Sequence, residues 1–469
     1  MIKIHRIFQV FVLWVAAITL INAQSIDNEI HGHSHYTSYS NIPEHKLIFP
    51  SKVPDQIIMQ LTEDAAHSFA LNWRTDQQVD TAYVQVAEET HGPDFRLDGR
   101  SRQIMASTQF FENQNTADKE PLVKSAYHSA LVDRLEPGKT YVYRVGDGSA
   151  ADATWSEWFQ VTIPSENKES FSFIYFGDAQ NDVKSMWSRV IRKSYQMVPK
   201  VDFMLHAGDL INHSESNREW AAWFYAGSYI HSTVPSVMTP GNHEYKYHEG
   251  TLSALWRPQF NLPKNGPMKL LEETCYTLDY GNMKLVSIDA KSYLDNEASR
   301  EAQTQWLDSV LASNTKKWTS LFMHYPVFST AKGRDNTALR EGLKPLIDKY
   351  SVDLVLQGHD HTYARGYDTN EGTGKTVVEN AGTVYAVSVS GPKMYESQDQ
   401  AWMVRRAEYT QLFQIITVGQ DKISYEAYTP LGSLYDAFDL KKDGMGKKRL
   451  VNRVPDDFPM RQKKDFVKE

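Results

Sequence analysis

Asp178, Asp209, Asn242, His243, His324, His359 and His361 share one kind of position: each stands just past a short apolar run, in YFGDAQ, HAGDLIN, TPGNHE, LFMHYP and QGHDH. Carboxylate oxygen and imidazole nitrogen together suit zinc, iron, manganese and similar ions, and a carboxylate is able to bridge two of them. His359 and His361 are two residues apart at the end of a strand-like run, so both point to one side. Each can approach one ion of a pair about 3.5 to 4 Å apart. Asp360 between them points elsewhere and reads as a structural residue or as a carboxylate that orients an imidazole. One Gly-Asp after a strand is weak evidence, since most are turns. Five polar strand ends in one stretch, all rich in carboxylate, amide and imidazole, are hard to explain as turns alone.

The elements that must hold these residues are legible as alternating strand and helix patterns after Pro164. FSFIYF, VDFML, KLVSIDA, TSLFM and VDLVLQ are continuous apolar runs of the kind buried on both faces in parallel sheets, and DVKSMWSRVIRKSYQMV, EAQTQWLDSVLAS and ALREGLKPLIDKY carry helical periodicity. This predicts an α/β domain whose ligands gather at the carboxyl ends of its strands. Before it, residues 57–163 hold about seven short alternating segments separated by turns, the pattern of an antiparallel β-sandwich. LEPGKTY, with Leu135, Pro137 and Tyr141, matches a tyrosine corner. Trp155 and Trp158 read as core or interface packing, with a sugar-binding surface as the alternative.

The predicted organisation is a signal peptide over 1–23, a linker over 24–53, the sandwich over 54–164, the α/β domain over 170–430 and a polar C-terminal tail over 431–469. Lys3 and Arg6 precede the apolar stretch from Ile7 to Ile21, and Asn22-Ala23 ends it, the arrangement of a secretory signal cleaved near Ala23. The expected mature protein is therefore exported, periplasmic or secreted, with no stable membrane span after cleavage. His31, His33 and His35 lie in the linker, where a flexible polar segment is preferred over a metal-binding tag. A net charge of -8 and a pI near 6.1 offer no basic surface for nucleic acid. The single cysteine, Cys275, excludes an internal disulfide and reads as a buried thiol.

In order along the chain, Gly-Asp, Gly-Asp-x-x-Asn, Gly-Asn-His-Glu, an apolar strand ending in His324, and Gly-His-Asp-His resemble the motifs of the calcineurin-like metallophosphoesterases. Within them the chain is similar to the purple acid phosphatases that carry an N-terminal fibronectin-like domain. The resemblance implies a fibronectin- or immunoglobulin-like sandwich followed by an αββα four-layer domain. It also implies a first metal held by Asp178, Asp209 and His361, a second held by Asn242, His324 and His359, with Asp209 bridging, and His243 facing the substrate. The implied reaction is hydrolysis of a phosphate monoester by a metal-bound hydroxide; a phosphodiesterase of the same fold is the alternative.

Two departures from the family pattern matter. Asn212 stands where purple acid phosphatases have a metal-bound tyrosine, and Gln180 where other metallophosphoesterases have a histidine. Asn212, Gln180 or water then completes the first metal, and a pair of divalent ions is favoured, whether iron, zinc or manganese. After His324 the chain reads VFSTAKGRDN, so Lys332 and Arg334 are either phosphate contacts or part of a solvated basic loop, and Arg365 in TYAR is a further candidate contact. A rival reading is a non-catalytic surface or glycan-binding relative, supported only by the two departures.

Overall fold

The computed structural model describes residues 45–97, 99–116, 119–148, 153–367 and 376–465, so the predicted signal segment and the three linker histidines lie outside the described residues. Three parallel strands, Phe171–Phe176, Phe203–His206 and Ser236–Met238, form the middle of a 12-stranded sheet. A second sheet of seven strands has Met283–Ile288, Trp318–Met323, Leu354–Gln357 and Val384–Val387 running parallel in that order. The two sheets pack face to face. Phe322, Leu354 and Leu356 join the core that includes Phe173, Ile174 and Met204 of the first sheet. Their neighbours Leu321, Met323 and Val355 turn the other way, against Leu307, Leu311, Leu339 and Leu343. Those leucines belong to the helices Glu297–Ala312 and Thr337–Lys349. Trp187, Val190 and Ile191, from the helical stretch 183–197, and Trp223 and Phe224, from the helix Asn217–Gly227, cover the first sheet. The order is thus helix, sheet, sheet, helix, which is why the strands read as unbroken apolar runs.

The N-terminal sandwich is not closed off from this sheet. Asp55–Gln60 pairs in parallel with Ser236–Met238 through Gln60 and Ser236, so four sandwich strands extend the 12-stranded sheet. The other face of the sandwich is a four-stranded sheet, and Trp73, Phe69, Val84, Tyr143 and Phe159 fill a core between the two. The tyrosine corner is present: the Glu136 N–H donates to Tyr141 Oη at 2.9 Å. Trp155 and Trp158 are not in the core. They flank the Arg144 guanidinium at 4.5 and 4.7 Å, a cation–π stack on the four-stranded sheet.

The C-terminal segment is not a tail. Leu434–Lys442 and Lys448–Asn452 are antiparallel strands of the 12-stranded sheet, beside Lys422–Tyr428. Their charged residues suggested a solvated end, but several of those charges are paired inside. Asp436 is fully buried, and Lys448 is buried against Asp353 at 3.2 Å.

Candidate metal centre

The parallel strands of both sheets end on the same side, and the loops after them converge. Asp178 follows Phe171–Phe176, Asp209 follows Phe203–His206, and Asn242 with His243 follows Ser236–Met238. From the second sheet, His324 ends Trp318–Met323, and His359 and His361 follow Leu354–Gln357. The convergence is tight enough to exclude a Cβ where the glycines stand. One built on Gly358 would lie 2.4 Å from Asp178 Oδ1, and one on Gly208, whose φ is +84°, would lie 2.8 Å from His324 Nδ1. Asp209, His359 and His361 themselves take φ values of 50°, 74° and 47°. Left-handed backbone at non-glycine residues costs about 1 to 3 kcal/mol each and persists only where the surroundings impose it. Here the Asp209 N–H donates to Glu244 Oε2 at 2.9 Å, the His359 N–H to Asp178 Oδ1 at 2.6 Å, and His361 Nδ1 to the Lys393 carbonyl at 3.0 Å.

Two ligand groups result, and they share one residue. Asp178, Asp209 and His361 form the first, and Asp209, His324 and His359 the second; within each, the ligand atoms lie within 4.8 Å of one another. Asn242 joins the second, its Oδ1 lying 3.2 Å from His324 Nε2. The donor set suits a pair of borderline divalent ions. An independent observation agrees: Asp178 Oδ2 is buried and has no hydrogen-bond partner among the described residues, a cost that a bound cation removes. His243 stands at the rim, about a quarter exposed, with Nε2 3.9 Å from Asp209 Oδ2 and Nδ1 2.6 Å from the Asn212 carbonyl.

The sequence matches are in keeping with this geometry. Residues 54–163 match the purple acid phosphatase N-terminal domain family, and residues 172–363 match the calcineurin-like phosphoesterase family. The chain joins a purple acid phosphatase N-terminal domain to a calcineurin-like metallophosphoesterase domain. It is 25% identical to acid phosphatase type 7 of Mus musculus over 68% of this chain and 72% of that protein. It is also 25% identical to a probable inactive purple acid phosphatase 24 of Arabidopsis thaliana over 51% of this chain and 43% of that one. The fold is that of the purple acid phosphatase PPD1 from yellow lupin seeds, with a TM-score of 0.69 and 18% identity over 84% of this chain and 75% of the lupin protein.

Charge in the metallophosphoesterase centre is distributed unevenly. Burial pushes the Asp178 carboxyl up to about 7; His324 opposes this and Asp209 adds to it. Burial alone would lower His324, but Asp209 and Asp178 outweigh it and hold the imidazole up at about 9. Burial keeps His359 and His361 well below the usual histidine range, hence neutral, the form a metal ligand needs.

Several expected contacts are placed elsewhere. Arg365 is not available to a phosphate: it is fully buried, with Nε and Nη2 donating to Asp436 at 2.9 and 2.5 Å and Nη1 to Asn452 at 2.7 Å. It lies in the strand after the last histidine and cross-links the two sheets. The Asn212 side-chain amide lies against the His213 ring, 3.1 Å from Nε2. Gln180 does sit in the centre, with Nε2 2.8 Å from Asp209 Oδ2 and Oε1 buried without a partner among the described residues. Lys332 is largely exposed and pairs with Glu396 at 3.7 Å, the solvated alternative. Arg334 is about one-third exposed and donates to the His359 carbonyl and to Asp360 Oδ1. Asp360 also accepts from the Thr330 and Ala331 amides, so it anchors the 330–334 loop and orients no imidazole.

Three further residues shape the centre without being expected ligands. Glu244 is buried and accepts from the Asp209, Leu210 and Gly241 amides, clamping two ligand loops together. Tyr325 packs its ring 4.0 Å from His359, and Tyr395 packs 4.7 Å from His361. Glu244 alone was within reach of sequence reasoning, because it closes the Gly-Asn-His-Glu string.

Proposed function

We propose that this chain is an exported phosphomonoesterase that works with two divalent ions. The observation that carries the reading is the pair of ligand groups joined at Asp209, with His243 at the open rim. A metal pair bound there would acidify water and neutralise phosphoryl charge. The chain's own residues do the rest. Asp209 is held by Gln180, His324 and the His243 amide, so the shared carboxylate is oriented before substrate arrives. His243 Nδ1 donates to a carbonyl, which leaves Nε2 to meet the substrate or the departing oxygen. The Arg334 guanidinium, about one-third exposed and 4.9 Å from the Tyr395 ring beside His361, is the fixed positive charge that a dianionic monoester favours over a diester. Gln180 Oε1, buried and unpartnered, is the oxygen we assign to complete the first metal in place of the family tyrosine. Export rests on the N-terminal sequence, and N-terminal sequencing of the native protein is expected to begin near Gln24.

The test is elemental analysis of protein purified without added metal, beside hydrolysis of an aryl phosphate and its bis-aryl diester. Two divalent ions per chain, no tyrosinate absorption band and preference for the monoester are expected. Asp209→Asn should lose both ions and His359→Ala one, each with a kcat loss of about 10³-fold or more. Protein that takes up no zinc, manganese or iron and cleaves neither ester would overturn the reading.

A further inference from the structure

Glu120 belongs to the N-terminal sandwich, in the loop after Ser107–Asn113, and is only 3% exposed. Its Oε1 accepts the Ser216 hydroxyl at 2.5 Å. Ser216 caps the helix Asn217–Gly227, and its side-chain oxygen also accepts the Glu219 N–H at 3.1 Å. Asn113 of the same sandwich strand donates to the Glu215 carbonyl at 2.7 Å and accepts from Asn217 Nδ2 at 3.4 Å. The sandwich therefore grips three consecutive residues at the start of a helix in the catalytic domain.

From that helix Glu219 reaches back toward the centre. Its Oε2 accepts the Asn212 N–H at 2.6 Å and the His213 N–H at 2.7 Å, and its Oε1 lies 2.9 Å from His213 Nδ1. The His213 N–H and the Asn212 carbonyl belong to one peptide unit and point in opposite directions. Holding that N–H on one side aims the carbonyl on the other, at His243 Nδ1 2.6 Å away. We propose that the N-terminal sandwich positions His243: Glu120 is a positioning residue acting through Ser216, Glu219 and the Asn212 carbonyl on the tautomer and aim of the imidazole. The inference rests on the reading of His243 as the substrate-facing group.

The test uses the full-length, metal-loaded chain and compares Glu120→Ala with Glu120→Gln, which keeps an oxygen for the Ser216 hydroxyl. Glu120→Ala is expected to lower kcat on an aryl phosphate by roughly tenfold, as misplacement of a catalytic group does. KM should stay within about twofold and both metals should be retained. Glu120→Gln should restore most of the loss, and in a His243→Ala background Glu120→Ala should add nothing. A second readout does not depend on turnover: the ring-nitrogen NMR signals of His243, assigned by their loss in His243→Asn, should shift in Glu120→Ala. If they shift while the wild type hydrolyses no ester, the positioning stands and the proposed function falls. A kcat loss that persists undiminished in the His243→Ala background, or ring signals unmoved in folded Glu120→Ala, overturns the positioning. Should Glu120→Ala not fold, Ser216→Ala breaks the same link at the cost of one helix cap and is read by the same criteria.

Discussion

The two metal groups depend on residues that touch no metal, and Gly358 is the sharpest case. A Cβ there would lie 2.4 Å from Asp178 Oδ1, the oxygen that already accepts the His359 N–H. Asp178 cannot swing aside without moving its other oxygen, the unpartnered one in the first group. Gly358→Ala should therefore lower metal occupancy and cost about 1 to 3 kcal/mol, the usual range for overpacking a filled site. Elemental analysis and urea unfolding of the variant check both parts; two bound metals with wild-type kcat would show that the loop has slack. The residue pattern made this position legible as part of a Gly-His string but gave no hint of why glycine was needed. The reason lies in Asp178, which stands 181 positions before His359 in the chain and meets the glycine only in the fold.

Among the elements, the parallel strands were legible because burial on both faces leaves an unbroken apolar run, and the ligands were legible because they sit at the ends of those runs. The last two strands were not. LYDAFDLKK carries Asp436, Asp439, Lys441 and Lys442, and only the fold shows that Asp436 is fully buried against Arg365, 71 residues away in sequence. Apart, Asp436 reads as part of a polar tail and Arg365 as a phosphate contact; paired, one lies in a strand and the other cross-links two sheets. Asp436 also accepts the Tyr363 hydroxyl at 2.6 Å, so its loss strands a guanidinium and a phenol together. Asp436→Ala should destabilise the protein by about 3 to 5 kcal/mol, the cost of leaving one partner of a buried ion pair alone. Truncation after Pro430 removes the same partner along with two strands and should give no folded protein. Denaturant unfolding of the point variant and a solubility assay of the truncation decide the matter; a truncated chain with native stability would restore the tail.

For the whole molecule, the histidines away from the metal centre set an acid limit. His128, His206 and His231 are buried at 0 to 1% exposure. Burial pushes His128 down to about 4 and His231 to about 3, and it holds His206 well below the usual range, with His231 adding to the effect. Each is neutral in the fold and titrates near 6.5 once unfolded, so its contribution to stability is fully present above about pH 6.5 and declines as the pH falls toward its folded value. Glu273 runs the other way: burial outweighs Lys264 and Arg257 and raises it to about 7, which favours the fold as the pH drops toward the ordinary carboxylate range. The net slope therefore combines opposing groups, and a single histidine is best isolated by substitution. His231 stacks on Trp223 at 4.2 Å, a contact that a phenylalanine ring preserves. Between pH 6 and pH 4.5, His231→Phe should lose stability more slowly than the wild type, by roughly 1.4 kcal/mol per pH unit, the linkage slope of one proton. Urea unfolding at half-unit pH steps measures the two slopes. Parallel slopes would mean that His231 takes up its proton inside the fold, and that the burial of these rings does not keep this metallophosphoesterase from working in acid.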